Sequence, residues 1–270
     1  MRVRLRFSKL GKIRFTSQRD VARMWERALR RAGLPMAYTG GFSPRPQLAF
    51  GPALPTGCES LAEYVDVVLD DGRPETAELD AERTAGLAGG FLPAGIDITA
   101  ARVVDPRIAS VQADVTSCRW EMSFVGLSRD ELGERIDRFL AAPSVPILRE
   151  RKGREELDDL RPSVLTIALS DPREIRIDGG TPTGAVELVA DLATRPRGVR
   201  PVEVTRALCA VSPVPGGGTA RAGEGGTLVL DRARRTQQWI ERDGLRREPL
   251  EVGVPPAGSG RAVHAVERAS

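Results

Sequence analysis

The segment 38–47 has a composition that could hold an anion. It combines two glycines, two prolines, Ser43 and Arg45 within ten residues. Glycine permits positive φ angles and proline fixes φ, so the arginine between Pro44 and Pro46 has little conformational freedom. The guanidinium group binds phosphate or carboxylate through paired hydrogen bonds. The pattern therefore indicates either a loop of constrained shape between two strands or a loop that presents Arg45 to a ligand.

The charge of the chain is strongly uneven along its length. Residues 1–50 contain twelve arginine or lysine residues and two acids, a local net charge of +10, whereas residues 51–100 have a local net charge of −8. A basic block of this size is typical of a surface that binds nucleic acid. The two blocks could instead neutralise each other across one sheet, because oppositely charged neighbours are common on adjacent strands.

Several classes of site lack the residues that they need. The 270-residue chain has one histidine and three cysteines, which are too far apart for a metal-binding motif. We therefore expect no metal site, no cofactor and no catalytic residues of the serine–histidine type, and we expect reduced, buried thiols at Cys58, Cys118 and Cys209. No apolar run approaches the roughly 18 residues that span a bilayer, and the amino terminus lacks a signal-peptide core. The sequence predicts a cytoplasmic protein that does not enter a membrane.

Hydrophobic periodicity predicts the elements of the first half. Strict alternation over residues 2–7 indicates a strand that turns its three arginines away from the core. These arginines are Arg2, Arg4 and Arg6. A helix is expected to begin at Ser17, and the element order over residues 1–108 is β-α-β-β-α-β, the ferredoxin-like unit. Because both helices of that unit cover one face of the sheet, the arginines would lie on an open face, where Tyr64 could stack on RNA.

The second half repeats this order of elements. Residues 116–124 alternate as a half-buried strand, and a capped helix follows them. A charged loop is expected over 151–159 and a flexible, glycine-rich insertion over 214–226. Residues 109–248 would form a second β-α-β-β-α-β unit, followed by a disordered tail over 249–270. The predicted fold class is α+β, with two tandem ferredoxin-like units.

The chain also resembles a known family in several short segments. These include Arg14-Phe-Thr-Ser-Gln-Arg-Asp20, Gly41-Phe-Ser-Pro-Arg-Pro46, Pro55-Thr-Gly57, Arg200-Pro201 and Arg234-Arg-Thr236. The segments resemble the radical-SAM-linked proteins, a bacterial domain of unknown function that is often fused to, or encoded beside, a cobalamin-binding radical SAM protein. The resemblance implies a radical SAM protein as partner. The chain lacks clustered cysteines for an iron–sulfur site, so that chemistry would belong to the partner.

The chain departs from the family pattern at two positions. Gln18 and Arg45 stand where members of the family usually have histidines. Arginine cannot act as a general base at neutral pH, so these residues favour binding over proton transfer. We therefore expect an anion-holding clamp between the segments 17–20 and 38–47. The predicted anion- or RNA-binding residues are Arg14, Ser17, Gln18, Arg19, Asp20, Gly41, Phe42, Ser43, Arg45 and Tyr64.

Three functions are compatible with these features. The first is a non-catalytic accessory or binding module that recognises an anionic substrate, such as RNA, in association with a radical SAM enzyme. The second is a metal-independent endoribonuclease, because tandem ferredoxin-like units with a basic cleft also build such nucleases. Its acid and base groups would come from Tyr38, Tyr64, Lys9 and Lys12. The third is a protein-interaction scaffold in which the arginines only pair with the acidic block. The residue pattern favours the first.

Overall fold

The computed structural model describes residues 1–151, 153–171, 184–211 and 228–253, which form a mixed α+β structure around one large sheet. The strands in these ranges are β1 (Arg2–Lys9), β2 (Leu48–Phe50), β3 (Glu59–Val68), β4 (Ile98–Val104), β5 (Ser117–Val125), β6 (Pro146–Arg151), β7 (Arg154–Asp159), β8 (Val164–Leu169), β9 (Val186–Ala193), β10 (Val229–Arg242) and β11 (Leu245–Arg247). The helices are α1 (Gln18–Arg31), α2 (Ala81–Gly89), α3 (Val111–Asp114), α4 (Arg129–Ala141) and α5 (Pro201–Ala210). None of these helices is long and apolar enough to cross a membrane.

The first strand and helix form where the sequence predicts them. Alternation in β1 buries its apolar side chains, and Phe7 contacts Trp25 of α1 with 5.0 Å between ring centroids. Ser17 caps α1, because its hydroxyl accepts a hydrogen bond from the Asp20 amide in the first turn of the helix. Gly33 follows the helix with φ +67°, a conformation that residues with a side chain rarely adopt. The helix therefore covers β1 with its apolar stripe.

The large sheet contains two groups of four strands with the same order. In the first group β4, β1, β3 and β2 are neighbours, and in the second group β10, β5, β9 and β8 are neighbours. All pairs within each group are antiparallel. The groups meet where β10 pairs in parallel with β3, with Arg234 opposite Glu59 and Arg235 opposite Ser60. One side of β3 is thus shared between β2 and β10.

The described ranges correct three details of the predicted second half. Residues 154–159, expected to be in a charged loop, form β7 and pair with β6 outside the large sheet. The closing strand is one continuous element, β10, instead of two shorter pieces. Pro249 is buried and begins a short 3₁₀ helix, so the predicted disorder is wrong for residues 249–253. The predicted glycine-rich insertion 214–226 and the rest of the tail lie outside the described residues.

The basic face of β1 is covered, which contradicts the prediction that it is open. Asp66 accepts hydrogen bonds from Nε and Nη2 of Arg4 at 2.7 and 3.0 Å, and it also pairs with Arg2. Arg4 donates to the carbonyl of Pro249 at 2.9 Å, and Arg2 donates to the carbonyl of Ile108 at 2.8 Å. Arg2 and Arg4 are buried because the segments around Ile108 and Pro249 lie over them, whereas Arg6 is partly exposed. Arg2 and Arg4 therefore cannot contact RNA.

Two apolar cores lie against opposite faces of β3. Val65 and Val67 belong to the core beneath α1, whereas Ala62 and Tyr64 belong to the larger core that includes Trp120 of β5. Tyr64 is only 1% exposed. Its ring cannot stack on an RNA base, and the prediction of Tyr64 as a binding residue is therefore wrong.

Candidate anion-binding cleft

The two segments of the predicted clamp lie at opposite ends of β3. Arg14 contacts the start of this strand through Glu59, with 3.5 Å between Nη1 and the carboxylate. The loop 38–47 contacts the other end, where the amide of Val68 donates to the carbonyl of Gln47 at 3.2 Å. A strand of ten residues is roughly 30 Å long. The two segments cannot hold one small anion between them, and the clamp is wrong.

The loop 38–47 is the tip of a β-hairpin. The amide of Thr39 donates to the carbonyl of Arg45 at 2.9 Å, and the amide of Arg45 donates to the Thr39 hydroxyl at 3.1 Å. Gly41 has φ +109°, which explains the need for glycine there. Phe42, Ser43 and Arg45 are exposed at the tip. The glycines and prolines thus shape a turn between strands, the simpler of the two interpretations.

The residues 17–20 have different roles from one another. Ser17 donates its hydroxyl hydrogen to the carboxylate of Asp20 at 2.7 Å, and this hydrogen bond lowers the pKa of Asp20. Asp20 also pairs with Arg23 at 3.4 Å. These groups stabilise the start of α1, and Arg19 is exposed beside them. Gln18 is the residue of this group that lines a cavity.

An open cleft of about 740 Å³ lies between the two halves of the chain. Its walls come from four places: the segment 14–18, the segment 53–58, the start of α5 and the start of β10. Arg14 and Gln18 are the predicted binding residues that line it, and Phe15, Arg200 and Arg232 join them. Asp231 is an acidic residue in the same wall. The cleft has the size of a typical small-ligand site.

Glu59 fixes the basic side of this cleft. Its carboxylate is 3% exposed and accepts hydrogen bonds from the amide of Gly11 at 3.0 Å and from Nη2 of Arg234 at 3.0 Å. Nη1 of Arg14 lies 3.5 Å from the same carboxylate, and its guanidinium carbon lies 4.6 Å from the centre of the Phe15 ring. The Phe15 side chain is 62% exposed. The Arg14 guanidinium thus lies over the ring of the exposed Phe15 in the wall of the cleft.

A second cavity of about 290 Å³ adjoins the cleft. Both cavities are lined by Ala53, Pro55 and Arg200, and we call the second one the inner cavity. Arg235 lines the inner cavity and is 2% exposed. Its Nε and Nη2 donate to one carboxylate oxygen of Glu63 at 3.0 and 2.7 Å, and Nη2 also donates to a backbone carbonyl at 2.9 Å. The buried charge is therefore paired and fixed in orientation.

The thiols differ in exposure. Cys58 and Cys118 are buried, and burial raises the pKa of Cys58 to about 11 and raises the pKa of Cys118. Both thiols therefore stay protonated near neutral pH and are poor nucleophiles. Cys209 is exposed, which contradicts the prediction that all three are buried. The described ranges contain no cluster of three or more residues that could ligate a metal ion.

The acid and base groups proposed for a nuclease do not converge. Lys9 is buried, donates to the carbonyl of Thr16 at 2.8 Å, and has a pKa that burial lowers. The Tyr64 hydroxyl is buried and makes no hydrogen bond with the described residues, and burial raises its pKa. Tyr38 lies in the hairpin at the other end of β3, and Lys12 is exposed. No two of them form an acid–base pair in the cleft.

Sequence reasoning missed several residues that line the two cavities. Phe15, Arg200 and Arg235 come from distant parts of the chain, and the fold brings them together. The family resemblance is one sequence signal that points to this cleft. Two of the segments that carry it, Pro55-Thr-Gly57 and Arg200-Pro201, line the cleft. Those segments were not assigned to a site because they share no chemistry and are separated by more than a hundred residues.

The sequence of this α+β chain matches a model of a known protein family. A family model described as "Uncharacterized protein conserved in bacteria (DUF2344)" matches residues 2–197. The chain belongs to that family. No curated protein matches the sequence.

Comparison with solved structures finds two that resemble part of this chain. The first is the crystal structure of a Cbf5-Nop10-Gar1 complex, with 9% identity and a TM-score of 0.45, covering 87% of this chain and 48% of that chain. The second is the crystal structure of the archaeal box H/ACA sRNP Nop10-Cbf5 complex, with 10% identity and a TM-score of 0.40, covering 87% and 47%. This chain spans about half the length of either. Similarity at this level supports no functional argument.

Proposed function

We propose that the chain is a non-catalytic binding module that holds single-stranded RNA in the cleft between its two halves. The observation that supports this function is the pairing of the exposed Phe15 ring with the Arg14 guanidinium at the opening of a cleft of about 740 Å³. Arg200 lines the same cleft from the second half.

The chemistry of the opening fits a nucleotide. Aromatic rings stack on unpaired bases, and arginine binds the adjacent phosphate with paired hydrogen bonds. The Phe15 ring is exposed and the Arg14 guanidinium lies against it, so both groups can contact one nucleotide. Glu59 holds Arg14 in place, which lowers the entropy lost when RNA binds. The cleft, rather than the covered face of β1, is thus the proposed RNA site.

Changing both groups at the opening should weaken RNA binding. We expect the double variant Arg14→Ala, Phe15→Ala to bind a fluorescent ten-nucleotide RNA at least roughly tenfold more weakly, because one stacking contact alone is worth about 1–3 kcal/mol. Fluorescence anisotropy measures the affinity. The affinity of the unchanged protein should fall steeply as salt rises above about 50 mM. Each arginine that binds a phosphate releases cations that are condensed on the RNA, and added salt opposes this release.

The hairpin provides a matched control for this experiment. The double variant Phe42→Ala, Arg45→Ala removes the same two side-chain types from the exposed tip at the other end of β3. It should bind the RNA within threefold of the unchanged protein. Equal weakening by both double variants, or no RNA binding at about 50 mM salt, would reject the cleft as an RNA site.

We also propose that the two groups of four strands are tandem ferredoxin-like units, with residues 1–108 and 109–248 as their domains. The shared strand order and the antiparallel pairing within each group support this assignment. In the second group, the hairpin of β6 and β7 would be an insertion between the first helix and the second strand of the unit. The proposed module acts in the cytoplasm.

The proposed partner is a cobalamin-binding radical SAM protein, to which the module would present RNA. The resemblance of the segments 14–20 and 41–46 to the radical-SAM-linked proteins supports this partner. Purification of the tagged chain from its own cells, followed by mass spectrometry, should recover a radical SAM protein in proportion to the bait. Its absence from both native and cross-linked purifications would remove the partner while leaving the RNA proposal standing.

A further inference from the structure

We propose that the inner cavity receives one nucleobase of the bound RNA and that Arg235 makes it select a base with a carbonyl oxygen at O6 or O4. This inference rests on the proposed RNA-binding function and names the chemical group that the cavity beside the cleft would take. The inner cavity and the cleft have Ala53, Pro55 and Arg200 in common, so a base next to the nucleotide at Phe15 can enter it.

The inner cavity has the size and lining of a base pocket. Its volume is about 290 Å³, and the side chains of Trp120, Leu192 and Val199 supply apolar walls. Gln112 and Thr194 add polar groups. An aromatic base needs this combination of apolar surface for its faces and a few polar groups for its edge. A phosphate would gain nothing from the apolar side chains of Trp120, Leu192 and Val199, which offer its oxygens no donor, whereas these side chains can pack against the faces of a base.

Arg235 offers a donor with a weak partner. The guanidinium group has five N–H donors, of which those on Nε and Nη2 bind Glu63 and a backbone carbonyl. In the described part of the chain, the hydrogen-bond partner of Nη1 is the thiol of Cys118, at 3.8 Å. Sulfur is a poor acceptor, so a ligand oxygen at this place would form a stronger hydrogen bond. Burial makes that donor costly to leave unsatisfied.

This donor distinguishes among the bases. Guanine and uracil present carbonyl oxygens at O6 and O4, whereas adenine and cytosine present amino groups, N6 and N4, at the corresponding positions. If the base presents an amino group, the Nη1 donor forms no hydrogen bond with it. The donor also loses its hydrogen bond to the Cys118 thiol. Since Glu63 fixes the orientation of Arg235, the guanidinium cannot turn away from an unsuitable base without breaking two hydrogen bonds. The pocket should therefore prefer guanine or uracil over adenine and cytosine.

Selectivity is measured with four five-nucleotide RNAs that differ only at the central position, in a background of adenines. Anisotropy competition with the full chain should rank the guanine and uracil oligonucleotides roughly fivefold or more above the adenine and cytosine ones. The variant Gly198→Leu should abolish this preference, because it places a side chain in the inner cavity. Gly198 has no positive φ, and a Cβ there would have the carbonyl of Thr194 as its neighbour, at 4.0 Å.

Gly86→Leu is the control for this variant. A Cβ at Gly86 in α2 would meet nothing within 4 Å, and the variant adds the same side chain far from the cleft. It should keep both affinity and preference. If all four oligonucleotides bind equally, or if Gly198→Leu keeps the preference, the base pocket is wrong while RNA binding in the cleft stands. If none of the four binds, the proposed function fails and the pocket with it.

Discussion

Replacing Glu63 by methionine should lower the free energy of unfolding by about 3–5 kcal/mol, because it leaves the charge of Arg235 buried without its partner. Glu63 is 5% exposed and Arg235 is 2% exposed, so water cannot take over the role of the carboxylate. The pair joins β3 to β10 across 172 residues of sequence. Urea denaturation monitored by circular dichroism gives the change.

A double-mutant cycle tests whether the pairing itself is responsible. The variant Glu63→Met, Arg235→Met removes both charges, and its loss should be well below the sum of the two single losses. Glu78→Met is the control, since Glu78 pairs with Arg83 at 3.9 Å on the surface; it should cost less than about 1 kcal/mol. Additive losses in the cycle would show that packing, rather than the ion pair, determines the effect.

Asp66→Asn should destabilise the protein by a similar amount, about 3–5 kcal/mol. Asp66 is 1% exposed and is the common partner of Arg2 and Arg4. A neutral amide at this position would leave two buried guanidinium groups without the carboxylate that neutralises them. An amide also replaces one acceptor oxygen with a donor that faces other donors. Thermal unfolding of the variant and of Glu78→Gln gives the comparison.

The outcome distinguishes the two interpretations of the basic block. A large loss for Asp66→Asn means that the arginines of β1 serve the structure. A loss no greater than that of Glu78→Gln would mean that Arg2 and Arg4 gain little from Asp66, and that the face of β1 opens easily to solvent. The same measurement at 1 M salt should change the result little, because salt screens buried pairs weakly.

Local patterns predicted much of the first half because short-range physics determines it. The alternation of β1, the cap at Ser17 and the stop at Gly33 each act over a few residues, and all three occur in the structure. The prediction of a loop was wrong for residues 154–159, because charged residues normally mark a loop. These charges are tolerated in β7 because its hairpin lies outside the large sheet, with residues 154–157 exposed to water.

The site was harder to predict because it depends on which parts of the chain meet. Arg14 and Gln18 were identified from their residue types and do line the cleft. Arg45 was joined to them because it is near in sequence, yet α1 carries the chain to the other end of the sheet before residue 45. Whether an alternating strand shows its polar side chains to water depends on what covers them. For β1 the covering segments are more than a hundred residues away.

The shared side of β3 has a consequence for synthesis on the ribosome. The start of β3 pairs with β10 on the side that β1 does not occupy. Arg235 of β10 is synthesised 175 residues after Ser60 of β3. At about 5–20 residues per second, the nascent chain carries this unpaired edge for roughly 9–35 s. An unpaired edge can add a strand from another nascent chain. The Glu63 carboxylate, later neutralised by Arg235, gives this edge a negative charge that opposes such pairing during translation.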